Sequence, residues 1–147
     1  MRSSFKWLLI TLLCVPASTF SADRAVSKSS PDPRQNLQLT PIERAEFLSE
    51  MRNMLFSVQQ ILEGIGTSDR DKITKAAKLS GNRMARATPA AVRAKMPQSF
   101  RDLGGATHMM FEELAIRADS DEMDMLASDA GKLMGQCLAC HAKFRVH

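Results

Sequence analysis

The chain has 147 residues, a formal charge of +4 and 44% apolar residues. That length suits a single domain, and the mild charge comes without the aromatic–basic interleaving or helix-turn-helix pattern that would point to a nucleic-acid partner. Tyr is absent, the single Trp lies at position 7, and Met occurs ten times.

Residues 1–22 read as a secretory signal peptide. Arg2 and Lys6 supply the positive start, and Trp7 to Val15 supply an apolar run. The run is short for a bilayer span. Small residues follow, with cleavage contexts at Val15-Pro16-Ala17 and Thr19-Phe20-Ser21. An uncleaved anchor is the competing reading. With cleavage, the sequence predicts an exported, periplasmic product with no membrane span. Residues 23–39 are rich in Ser, Pro, Asp, Lys and Arg and show no periodic apolar face, so they read as a flexible leader.

From residue 40 to 147, Ala, Leu, Met, Glu, Lys and Arg favour helix. Thr40-Pro41-Ile42-Glu43 combines a capping box with Pro at the first helical position. Leu48, Met51, Leu55, Val58, Leu62 and Ile65 then form an apolar stripe at spacings of three and four, ending at Gly64 and Gly66. A second helix starts near Ser68, with Ile73, Ala76, Ala77, Leu79 and Met84 inward, and frays at Ser80-Gly81. Thr88-Pro89 opens a short turn or helix that Pro97 stops. A third long helix runs from about Gln98 to Ala118, with Phe100, Leu103, Thr107, Met110, Phe111, Leu114 and Ile116 on its apolar side. Gly104-Gly105 inside it weaken it by roughly 2 kcal/mol against alanine, which predicts a close helix or cofactor approach there. Asp119-Ser120 caps a fourth helix with Met123, Leu126, Ala130, Leu133, Met134, Cys137, Leu138, His141 and Phe144 inward. Four amphipathic helices with short links predict an all-α, antiparallel up-down-up-down four-helix bundle.

The chemistry concentrates in Cys137-Leu138-Ala139-Cys140-His141. C-x-x-C-H is the attachment sequence of c-type haem. Two thiols three positions apart lie on one helical turn, so both can form thioethers with the vinyl edges of one porphyrin, and His141 offers an imidazole nitrogen to the iron. A thioredoxin-like dithiol would need a strand leading into a helix, and no strand-like run precedes Cys137. A zinc site would draw on Cys137, Cys140 and His141 or His147, but adjacent side chains on a helix diverge. A disulfide across C-x-x-C would close a small strained loop. The third cysteine, Cys14, falls in the signal segment.

The secretory start, the four-helix pattern and the run Cys137-x-x-Cys140-His141-x-x-Phe144-Arg145 resemble the class II c-type cytochromes, the cytochrome c-prime family. The resemblance spans residues 40–147 and is specific at the haem motif. It implies one covalently attached haem c per chain, a periplasmic location and, often, a homodimer. By family spacing Arg52 resembles the first-helix arginine near the haem, here as a propionate contact, and Phe56 then matches the residue covering the open haem face. The helical wheel points elsewhere: Met51 falls near the centre of the apolar stripe, Met54 toward its border and Phe56 almost opposite. Met51 is therefore the candidate sixth ligand, and ordinary core packing is its competing role. His108 is a candidate for a propionate hydrogen bond or a distal group, and a partly buried core or surface position is its competing role. The expected function is an electron carrier between redox partner proteins, of acidic surface given the basic balance, with no enzymatic role because no distal acid–base set is visible. The alternative is a five-coordinate haem protein binding nitric oxide or carbon monoxide.

Overall fold

The computed structural model describes residues 32–147; the signal peptide, residues 23–31 of the leader and Cys14 lie outside the described residues. The described residues are all-α apart from one pair of two-residue strands. In order it forms β1 (Gln35–Asn36), α1 (Pro41–Thr67), α2 (Arg70–Ser80), α3 (Asn82–Ala87), α4 (Ala90–Lys95), α5 (Gln98–Arg117), α6 (Met123–Lys143) and β2 (Phe144–Arg145). None of the described helices is long and apolar enough to cross a membrane.

Helix α1 starts where its capping box predicts. The Glu43 amide donates to the Thr40 hydroxyl at 3.3 Å, and the Thr40 amide donates to Glu43 Oε2 at 2.9 Å. Lys95 of α4 donates to the same carboxylate at 2.7 and 2.8 Å. Together these bonds hold Glu43 at a pKa of about 2, with the ammonium of Lys95 the leading cause and the Thr40 amide next. At the other end Ser68 adopts a left-handed conformation, φ 56°, and its amide closes on the last carbonyls of α1. Asp69, not Ser68, caps α2, accepting from the Lys72 amide at 2.9 Å.

The inward face of α1 differs from the expected stripe. Met54, Ser57, Val58, Ile61 and Gly64 are buried, while Leu55 is 70% and Leu62 44% exposed. The helix is turned by about one residue, roughly 100°. The cause lies in two small inward residues that apolarity does not reveal. Ser57 and Ser80 share a buried hydroxyl–hydroxyl bond of 2.8 Å between α1 and α2. At Gly64 a Cβ would stand 2.7 Å from Ile73 Cγ1 and 3.0 Å from the Asp69 carbonyl, so only glycine lets the helices come this close.

Helix α2 buries Ile73, Ala76 and Ala77 as expected, but Leu79 is exposed. In α5, Thr107, Phe111, Leu114 and Ala115 are buried and Ile116 is exposed. A Cβ at Gly104 or Gly105 would meet nothing within 4 Å, so no helix packs closely on that pair. The start of α6 falls at Met123 after Glu122, three residues beyond the expected cap. The Ser120 and Asp121 amides turn back to the Arg117 carbonyl at 3.1 and 2.9 Å. Arg70 of α2 braces this turn, donating to the Ala118 and Asp121 carbonyls at 2.6 and 2.8 Å.

Helix α1 packs on α2 and α6, and α5 packs on α2 and α6. Their shared core includes Met54, Ile61, Ile73, Phe111, Leu126 and Leu133, with Met51 and Cys137 packed half-buried against it. A second, separate cluster joins Leu37, Val92, Met96 and Phe144, with Phe47, Phe100 and Cys140 against it. Leu37 belongs to the segment read as leader, yet it is 3% exposed, and β1 pairs in parallel with β2, Gln35 beside Phe144 and Asn36 beside Arg145. Residues 35–37, from the segment expected to be a flexible leader, thus pack with the helical part. A two-residue strand and one anchoring Leu are too short to leave a periodic signal.

Candidate functional site

The last two turns of α6 carry the motif. The inward row of that helix runs Leu126, Ala130, Leu133 and continues, at helical spacing, through Cys137 and Cys140. Both cysteines are free and half-buried. They stand against different packing partners, Cys137 on the main core and Cys140 on the second cluster. The motif thus bridges the two apolar clusters. The aromatic rings at its base stack in sequence: Phe100 meets Phe144 edge-on at 5.3 Å, and Phe47 meets Phe100 at 5.8 Å.

Only part of the expected inward row is inward. His141, Met134 and Leu138 are exposed, Leu138 at 73%. His141 lies one residue past Cys140, a turn of about 100° that carries its side chain off the packed face. Its backbone carbonyl accepts from Arg34 Nη1 at 3.4 Å.

Burial pushes the Cys137 thiol up, and burial followed by the neighbouring Cys137 pushes the Cys140 thiol up. A dithiol oxidoreductase depends on a thiolate, which the opposite shift would favour. Among the described residues no three His, Cys, Asp or Glu side chains converge as a metal-binding group, and the zinc set of Cys137, Cys140 and His141 or His147 is not assembled. An iron held by a porphyrin has no such requirement, because the macrocycle supplies four of its donors and the protein one or two.

The residues fit a tethered porphyrin in three respects. The two thiols are unpaired, lie three apart on one face, and precede an imidazole that no described side chain engages. Large apolar side chains, Met134 and Leu138, stand uncovered on the same turns; a flat apolar group over them would recover about 1.5–3 kcal/mol for each one fully buried. Two surface concavities, of about 400 and 480 Å³, lie elsewhere and include neither cysteine nor His141.

The candidates on α1 separate. Met51 is half-buried against the main core, as Cys137 is. Met54 is buried more deeply, since the helix is turned from the expected wheel. Arg52 is exposed. Phe56 is 54% exposed and lines the 400 Å³ concavity with Gln60, Lys72 and Leu79. That groove lies between α1 and α2, so Phe56 is not brought to the α6 motif. His108 bonds through Nδ1 to the Ser80 carbonyl at 2.7 Å. A carbonyl only accepts, so Nδ1 carries the hydrogen. This bond commits His108 to the end of α2.

Two residues at the site were missed from the sequence, Arg34 and Leu37. Nothing in a Ser- and Pro-rich segment marks them; an alternation of Leu37 and Leu39 is the sole trace.

Comparison with known protein families, with characterised proteins and with solved structures finds no match to this chain.

Proposed function

We propose that this chain is an exported c-type cytochrome, a periplasmic electron carrier with one haem c attached through Cys137 and Cys140 and ligated by His141. The observation that carries the reading is the placement of two free, half-buried thiols on one face of α6, at the seam of two apolar clusters, followed by an imidazole that no described side chain engages. The finer architecture proposed is the antiparallel up-down-up-down bundle of α1, α2, α5 and α6. The ring of neighbours α1–α2–α5–α6–α1 supports it.

Haem bound there would supply a one-electron ferric–ferrous couple. The chain's part is to fix and shield it. Cys137 and Cys140 tether the macrocycle edge. His141 would offer its imidazole nitrogen to the iron. Met51, half-buried on the same core as Cys137, would be the candidate second protein ligand, and a thioether in that role would raise the potential. Phe47, Phe100 and Phe144 exclude water at the base of the motif.

The test is mass spectrometry of mature protein made in a host that attaches haem. The parent chain should carry one added haem mass, and Cys137→Ser with Cys140→Ser should carry none. An unmodified parent chain refutes the proposal. Absorption of the ferric form then decides the alternative. Met51→Ala should remove a thioether-to-iron charge-transfer band; a parent that is already high-spin and responds to carbon monoxide is instead the gas-binding form.

A further inference from the structure

We infer that residues 32–39 form a strap that holds the final turn of α6 and through it the imidazole of His141, which makes Arg34 and Leu37 positioning residues of the site; the imidazole's role rests on the haem reading above. The last four carbonyls of a helix have no partner within it. Helix α6 ends at Lys143, so the carbonyls from Cys140 to Lys143 fall in that group. The Cys140 carbonyl is met by the Phe144 amide. The His141 carbonyl is met by the guanidinium of Arg34, 107 residues away in sequence. A cation at this end also complements the helix dipole.

The fastening continues past the helix. The Leu37 amide donates to the Arg145 carbonyl at 3.0 Å, and Arg145 Nε donates to the Arg34 carbonyl at 3.3 Å. Asp32 orients the Arg34 guanidinium through bonds of 2.7 Å to Nη2 and 3.0 Å to Nε. Leu37 then plugs the strap into the second cluster beside Phe144. Backbone pairs, a charged cap and a buried side chain thus converge on residues 141–145. Helix ends fray unless tied down, and a metal-ligating imidazole needs a fixed orientation to serve. His141 lies within three residues of the helix end, and the strap is what ties that end.

The test compares four full-length chains made in a haem-attaching host: the parent, Arg34→Ala, Leu37→Ala, and Ile73→Val as a control that loosens the main core only. Added haem mass, amide exchange at residues 141–145 and the ferric electron paramagnetic resonance spectrum are measured on each. Both strap variants should exchange roughly threefold to tenfold faster at 141–145 and should show a second ferric species lacking the imidazole. The control should match the parent in both. A haem-loaded protein whose exchange and ferric spectrum ignore both strap substitutions overturns the strap, as does a control that shifts equally. A parent without haem mass overturns the haem reading and the positioning role with it.

Discussion

The two apolar clusters that meet at α6 are built on different terms. The main core draws nearly all its residues from four long helices, at positions three and four apart, and its largest members are fully buried. The second cluster gathers Leu37 from the strap, Val92 and Met96 around α4, and Phe144 from the chain's last strand. Its members sit on short or extended segments that cannot bury a face alone. The first cluster is a property of helices; the second exists only once distant segments meet. The candidate site spans both, so one thiol inherits the rigidity of a helical core and the other depends on long-range closure.

The sharpest way to break this contrast is to cut a cavity in each cluster. Phe111→Ala should cost about 3–5 kcal/mol, read by denaturant unfolding, and should lower the stability of the whole chain. Leu37→Ala should cost less, about 2–3 kcal/mol, because a strap can partly collapse onto the gap. In the haem-free chain it should also speed alkylation of Cys140 while leaving Cys137 near its parental rate; equal acceleration of both would dissolve the distinction between the clusters.

Slack within the main assembly gives a smaller effect of opposite sign. Gly104→Ala meets open space in a helical stretch and should stabilise by about 0.5–1 kcal/mol, with thermal unfolding as the measure. A loss instead would mean that α5 needs its flexibility there. The smallest effect is acid-dependent. Glu43 is held at about 2, below its ordinary 4.5, so its contribution is complete above pH 4.5 and disappears as pH falls through 2. Glu43→Gln removes that contribution, so its stability should fall less steeply than the parent's across this range. Since Lys95 is its main partner, the change should appear first at the α1–α4 contact, beside the second cluster.

How much was legible follows the same division. The capping box at Thr40-Glu43 marks α1 because its signal is local. Ile73, Phe111, Leu126 and Leu133 follow helical spacing, and all four are buried. The facing of α1 was not legible, because Ser57 and Gly64 are inward for reasons of mutual fit with Ser80 and Ile73, and a hydrophobicity pattern cannot register fit. That pattern puts Leu55 and Leu62 inside, and both stand outside. At the site, Cys137, Cys140 and His141 are conspicuous by spacing alone. Arg34 and Leu37 are not, since what they do depends on a chain end more than 100 residues away. Phe56 illustrates the converse: positional analogy assigned it to the motif, while the rotation of α1 places it in the groove with α2.

The pairing of β1 with β2 has a consequence for the order of assembly. A ribosome makes Gln35 and Asn36 long before Phe144 and Arg145, with all six helices between them. The second cluster therefore cannot shut until Phe144 and Arg145 have been made and have met the first strand. The four long helices can associate progressively, but the cover over Cys140 must wait for the final strand. Until β1 pairs with β2, Cys140 lacks that cover, so an enzyme acting on the two thiols has its freest access to a chain whose latch is still open.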